Sequence, residues 1–219
     1  MHVHANAAIS VDGKLASRER EQLAISGPND FERVDRLRAS MDAVCVGVGT
    51  VLADDPSLTV PATLAEAGQP ARVILDSSGR TPSDARVLSD AAPTYIVVSE
   101  TASASAIEAL ETAGATVVQI RGKGRVDIDG AFTRLASAGL QRFMIEGGGE
   151  LFYSMFAAEL VDRLTLFVAP MLIGGRDAPT LVDGEGFLDR FPALALVSVE
   201  HVDAGVVLTF DVEGWNEGS

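Results

Sequence analysis

The chain has 219 residues, 47% of them hydrophobic, which suits one α/β domain with a sizeable core. Its formal net charge of −14 disfavours nucleic acid and anionic membranes as partners, since both would be repelled. No apolar run reaches the roughly 18 residues of a membrane span, and the N-terminal residues carry no leader pattern, so a soluble cytoplasmic protein is expected.

Residues 3–9 read as a first strand. By the two-residue period of a strand, His2 and His4 share one side and are expected on its surface. The strand runs into Asp12-Gly13-Lys14, which leaves polar groups at a strand's carboxyl end, where open α/β sheets bind ligands. An ordinary turn with a solvated lysine explains the same residues. Over 30–41, Phe31, Val34, Leu37 and Met41 recur at helical spacing and predict an amphipathic helix.

Residues 43–48 form a buried strand, in which Cys45 reads as a small hydrophobe. The strand meets Gly47-Val48-Gly49-Thr50. Thr50 is placed to cap a short helix, and Gly49 lets a ligand approach the backbone. Asp54-Asp55-Pro56 is either a helix end or a two-carboxylate metal site. Because the histidines and the cysteine have no ligand spacing, no metal is expected.

Residues 61–69 are expected to be an exposed loop, and 72–75 a strand. Asp76-Ser77-Ser78-Gly79-Arg80 follows, a group that suits a phosphate monoester such as the 2′-phosphate of NADPH, or makes a plain polar turn. A strand over 95–98, a helix over 104–113 stopped by Gly114, and a strand over 116–120 come next. Gly122-Lys123-Gly124-Arg125 is a second basic turn open to the same two readings. A helix over 129–138, stopped by Gly139, precedes a strand over 142–145.

Glu146-Gly147-Gly148-Gly149 then opens a helical segment. Glycines there would let an anion approach amides at a helix N-terminus, and they equally make a tight turn without a ligand. The spacing is not that of a dinucleotide fingerprint, and a carboxylate precedes it. The last quarter is β-rich over 163–168, 194–201 and 206–212, with Val202-Asp203-Ala204-Gly205 as a hairpin turn. A predominantly parallel mixed α/β sheet with helices on both faces and a C-terminal antiparallel hairpin is expected, in one domain frayed at 1–2 and 215–219.

The set Ser10-Val11-Asp12-Gly13-Lys14, Leu37-Arg38-Ala39, Val46 through Val60 with its Gly-x-Gly-Thr-Val-Leu-x-Asp-Asp-Pro-x-Leu-Thr run, Asp76-Ser77, Glu146-Gly147-Gly148-Gly149 and Ala169-Pro170 resembles a known family. It is similar to the 2,5-diamino-6-(ribosylamino)-4(3H)-pyrimidinone 5′-phosphate reductases of riboflavin biosynthesis, in their stand-alone archaeal and fungal form, over about residues 3–212. The resemblance implies a dihydrofolate-reductase-like fold, NADPH as hydride donor, a phosphorylated pyrimidine substrate and a homodimer. It implies a cofactor site lined by Ala8, Thr50, Asp54, Ser77, Gly148, Gly149, Glu150, Leu151, Phe152, Tyr153 and Ser154. Arg38, Leu58 and Glu146 would face the substrate, Arg38 holding its phosphate and Glu146 assisting protonation. Many bacterial relatives carry an arginine where this chain has Pro61, so Lys14 is the alternative cation for the phosphate.

A reductase of the same fold acting on a pterin or related heterocycle, or an NADPH-binding regulatory module without catalysis, fits the same residues. The dimer contact is expected in the β-rich C-terminal region, where an apolar face or edge needs cover. Lysine occurs at positions 14 and 123 alone. With so acidic a chain, this suggests a halophilic protein, adapted to salt that screens self-repulsion.

Overall fold

The computed structural model describes residues 1–19, 23–122 and 124–217. In chain order the elements are β1 (His2–Ser10), α1 (Pro28–Ala39), β2 (Ala43–Gly47), α2 (Val48–Asp54), β3 (Ala71–Leu75), β4 (Thr94–Ser99), α3 (Ala104–Thr112), β5 (Thr116–Ile120), α4 (Ile128–Ser137), β6 (Arg142–Ile145), α5 (Gly149–Ala157), β7 (Arg163–Ala169), β8 (Arg190–Val202) and β9 (Gly205–Glu217). The strands belong to a mixed sheet. The chain groups into two compact units, Asp35–Met144 with Met1, and His2–Val34 with Ile145–Ser219.

In the first unit β2, β3, β4 and β5 pair in parallel, in that order. Burial along β2 and β3 is nearly continuous, as strands covered on both faces require. Val44, Val46, Ile74, Ile96 and Val98 form a core with Val51, Leu58, Val87 and Leu110, and Cys45 is buried as a small hydrophobe. Arg72 is fully buried in β3. Its guanidinium donates to the carbonyls of Arg86, Ser89 and Ala92 and to Ser89 Oγ, which pins the segment containing the 3-10 turn Arg86–Leu88. The loop over 61–69 is largely exposed, with Gln69 bonding the backbone of Val60 at both its amide and its carbonyl.

Two expectations need correction here. The strand at 43–48 stops at Gly47, and Val48 already belongs to α2. Gly47 is the N-cap of α2, so Thr50 lies inside the first turn and does not cap it. Lys123, in the second basic glycine turn, lies outside the described residues.

In the second unit β1 pairs with β7 in parallel, and β7, β9 and β8 pair antiparallel. The hairpin is longer than its apolar stretches suggested, at 13 residues per strand. Pairing runs out to Arg190 opposite Glu217 and Pro192 opposite Trp215, so the strand takes in residues 215–217. The Trp215 and Phe187 rings meet nearly at right angles with centroids 5.2 Å apart, and the Arg190 guanidinium lies over the Trp215 ring at 5.4 Å, contacts that hold the end of the strand. Irregularities at Ala193/Leu194 and Leu196/Ser198 interrupt the register. They bring Leu194, Leu196 and Val199 opposite Val212, Phe210 and Leu208 on one face, although the spacing from 196 to 199 is odd. These three residues are exposed, by 43%, 58% and 56%.

The N-terminal histidines are not equivalent. His2 is exposed and pairs with Asp162 at 3.4 Å. His4 is buried, contrary to the surface placement expected, and its Nε2 lies 2.7 Å from Thr165 Oγ1 on β7. Helix α1 departs from its predicted stripe as well: it ends before Met41, Phe31 is 59% exposed, and its buried residue is Asp30. The polar contacts prevail over the apolar pattern. Arg33 donates through Nε to Asp30 at 2.8 Å and through Nη1 to Asn6 Oδ1 on β1 at 3.0 Å.

Candidate active site

Arg38, Thr50, Asp54, Leu58 and Ser77 all lie in the first unit. Arg38, at the end of α1, pairs with Asp35 one turn back at 3.5 Å, and its side chain is 21% exposed. Thr50 and Asp54 ride on α2, one turn apart and therefore on neighbouring positions of one helix face. Apart from its chain neighbours and the backbone of its own helix, no atom of the described residues lies within 4 Å of where a Cβ on Gly49 would sit, so the backbone at this turn is open to a ligand. Asp54 is an exposed residue, yet the protein around its carboxyl raises its pKa by burial. Asp55 is the left-handed C-cap of α2, and its Oδ1 accepts the Arg86 amide at 2.8 Å, which makes it a helix end. Among the described residues no group of three or more His, Cys, Asp or Glu is arranged to hold a metal ion.

Leu58 has φ +54°, a left-handed conformation that costs about 1–2 kcal/mol for a residue with a Cβ. Its side chain is 2% exposed and sits in the core, so its backbone is what it can offer a ligand. Ser77, just past β3, accepts the Val126 amide on Oγ at 3.2 Å, while its carbonyl accepts from Ser99 N and Oγ. Beside it Asp76 is fully buried; Oδ2 accepts from Thr81 N and Oγ1, and Oδ1 has no partner among the described residues.

Ala8, Lys14, Glu146 and the segment from Gly148 to Ser154 lie in the second unit. Glu146 is half-buried at the end of β6, followed by Gly147 at φ +122°. Gly148 is the N-cap of α5, with no side chain capping it. At Gly149 the missing side chain serves packing within the chain: a Cβ there would collide with the Thr180 carbonyl and meet Asp183 Oδ2 at 2.5 Å. The Asp183 amide also donates to the Gly149 carbonyl at 3.2 Å. An internal carboxylate therefore stands by the first turn of α5, where the sequence suggested room for an anion.

The rest of that segment divides by helix face. Leu151 and Phe152 are buried at 6% and 0% and pack into the core. Tyr153 lies 5.3 Å from Phe187 and against Gly184, where any Cβ would strike its ring. Ser154 donates back to the Glu150 carbonyl at 2.8 Å. Ala8 packs beside Phe167, Ala169 and Val207. Lys14 donates through Nζ to the Ala178 carbonyl at 3.0 Å. Thr180 and Asp183 were not singled out from sequence, because no local pattern marks residues whose role is to meet a glycine some 30 positions away.

The family model for the RibD C-terminal domain matches residues 1–208. The chain is 46% identical over 196 residues to the 2,5-diamino-6-ribosylamino-4(3H)-pyrimidinone 5′-phosphate reductase of Methanothermobacter thermautotrophicus, covering 89% of each. The chain belongs to this reductase family. It is an oxidoreductase of riboflavin biosynthesis, and is 41% identical over 216 residues to the reductase of the same name from Archaeoglobus fulgidus, covering 95% of this chain and 96% of that one. Among solved structures, Acinetobacter baumannii RibD superposes on the reductase with a TM-score of 0.77 at 23% identity, over 96% of this chain and 57% of that one. A pyrimidine reductase-like protein from Corynebacterium diphtheriae gives 0.78 at 19% identity, over 96% and 91%. At such identities these likenesses carry the fold alone, which is the dihydrofolate-reductase-like fold that the resemblance implied. No helix among the described residues is long and apolar enough to cross a membrane.

Proposed function

We propose that this reductase uses NADPH to convert the ribosylamino group of 2,5-diamino-6-(ribosylamino)-4(3H)-pyrimidinone 5′-phosphate to a ribitylamino group. The observation that carries the reading is the 46% identity, along 89% of both chains, with a reductase named for that substrate. The open backbone at Gly49, with the Thr50 and Ser77 hydroxyls in the same unit, suits the phosphates of a dinucleotide. Gly148, Gly149 and Glu150 are assigned to an uncharged part of the cofactor, since the Asp183 carboxylate already stands by the first turn of α5.

The substrate's cyclic ribosylamine opens to an imine, and NADPH, when bound, would supply the hydride for C1′. The chain's work is alignment and one proton for the exocyclic nitrogen. Arg38 holds the substrate phosphate, with its charge shared with Asp35. Glu146 binds the substrate and is the assigned acid. Asp54 is assigned to the cofactor with Thr50, one turn away on the same helix face. We further propose a cytoplasmic homodimer joined through β8 and adapted to concentrated salt.

Loss of NADPH absorbance in high potassium chloride, with and without the freshly generated substrate, tests the reading. Substrate-dependent oxidation supports it, and Arg38→Ala should then impair the phosphorylated substrate far more than an unphosphorylated pterin. NADPH binding without any oxidation would overturn it in favour of a different heterocycle or a regulatory module. For the salt adaptation, a denaturation midpoint that does not move between low and molar potassium chloride would be the contrary result.

A further inference from the structure

The Asp12-Gly13-Lys14 turn and the irregular segment 171–183 are interlocked along their length. Asp12 accepts the Ser10 hydroxyl at 2.6 Å and the Ile173 amide at 3.0 Å on Oδ1, and the Gly174 amide at 2.7 Å on Oδ2. On either side, Val11 N donates to Met171 O, Lys14 Nζ to Ala178 O, Leu15 N to Pro179 O and Leu181 N to Gly13 O. Gly174 and Gly175 have φ of +69° and +85°, the left-handed turn that aims the amides at the carboxylate. The Ser10 hydroxyl first, and then these two amides, hold the Asp12 pKa down to about 2, so it is an anion throughout the working range.

The far end of the same segment rests on α5. Thr180 donates through N and Oγ1 to Asp183 Oδ1, at 3.0 and 2.6 Å, and Asp183 in turn donates its amide to the Gly149 carbonyl. The Thr180 carbonyl fills the space left by the absent Gly149 side chain, so the segment that Asp12 holds at 173–174 is the one that packs on Gly149 at 180.

We propose that Asp12 is a positioning residue for the cofactor: by holding the Ile173 and Gly174 amides it fixes the 171–183 segment, and through Thr180 and Asp183 it fixes the first turn of α5. The proposal rests on the cofactor reading of Gly148, Gly149 and Glu150 given above. Asp12 itself touches no ligand in it. Its removal changes how often the first turn of α5 is in its binding geometry, and so the apparent affinity, with the reaction of the bound complex left alone.

The test compares the full-length wild type with Asp12→Ala and Asp12→Asn in molar potassium chloride. Amide exchange on the protein without ligand should quicken about tenfold or more at Ile173, Gly174 and also Asp183 in Asp12→Ala. The NADPH dissociation constant, read by fluorescence, should rise about tenfold, while kcat at saturating NADPH stays within about twofold. Asp12→Asn keeps one acceptor oxygen and should fall between the two. Unchanged exchange at Asp183 would overturn the coupling, whether or not NADPH binds. Faster exchange at Asp183 with unchanged NADPH affinity would overturn the positioning role and leave the proposed function standing. A wild type that does not bind NADPH would overturn the cofactor reading, and the exchange rates would then decide the coupling by themselves.

Discussion

Asp203 caps the N-terminus of α1 from the turn between β8 and β9, its Oδ2 accepting the Asp30 amide at 3.0 Å. Its Oδ1 takes the Asn29 side-chain amide at 2.7 Å and lies 3.4 Å from the Asn29 backbone amide. The hairpin turn and the helix start are thus one polar joint, and Gly27 is required there because a Cβ would run into the Asp203 carboxylate.

Replacing Asp203 with alanine should therefore cost about 1–2 kcal/mol, as loss of an N-cap does, with a further penalty for a non-polar residue at φ +51°. Asparagine should recover most of it. A urea midpoint for each variant is the measurement; equal midpoints for wild type and Asp203→Ala would show that water replaces the cap without loss.

His4 gives the protein a pH dependence of known sign. Burial first, and then the Arg163 charge, lower its pKa from 6.5 to about 4, because the folded state excludes the imidazolium. The folded state then binds this proton less readily than the unfolded chain. The His4 contribution to stability is complete above pH 6.5 and is lost as the pH drops toward 4, by on the order of 3 kcal/mol in total. His4→Gln should flatten that limb between pH 7 and 4; a variant that keeps the wild-type slope would assign it to other groups.

Asp54 has the opposite linkage. Its raised pKa means the folded state holds the carboxyl proton more firmly than the unfolded chain does, so its contribution is present at acid pH and is lost as the pH rises through the raised value. Asp54→Asn should stabilise the protein at neutral pH and leave it unchanged at acid pH. Denaturation midpoints of wild type and Asp54→Asn at acid and neutral pH are the measurement, and equal midpoints at both would contradict the linkage.

Two glycine substitutions should separate packing from binding. Gly149→Ala places a methyl against Thr180 and Asp183 and should cost about 1–3 kcal/mol, the usual range for overpacking. Gly49→Ala meets nothing within 4 Å and should fold as well as the wild type or slightly better, with any loss confined to ligand affinity. Thermal melts and NADPH titrations of the two variants together give the answer; a strongly destabilised Gly49→Ala would contradict the open geometry.

The elements with local signals were legible in the sequence. β3, β4 and β5 are compact apolar runs, and the helices stopped by Gly114 and Gly139 lie within one or two residues of their expected bounds. What could not be read was set by partners distant in sequence. His4 alternates with His2 like any surface pair, and its burial depends on Thr165 across the β1–β7 pairing. The apolar spacing of α1 pointed to Phe31, while Asp203 and Asn6, far along the chain in each direction, bind its polar residues. At the candidate site, Leu58, Leu151 and Phe152 fall within sequence-nominated segments but turn into the core, a distinction that a motif does not carry.

In the homodimer proposed above, the bulged face of β8 would make ionic strength a variable of assembly. Two copies that each carry a formal charge of −14 repel one another in dilute buffer, and that repulsion decays over about 10 Å at 0.1 M salt and about 3 Å at 1 M. Burial of Leu194, Leu196 and Val199 involves no charge and is not screened. In that proposed dimer salt would remove the repulsion and leave the attraction of the apolar row, so dilution into low-salt buffer should favour monomers that expose the row to water.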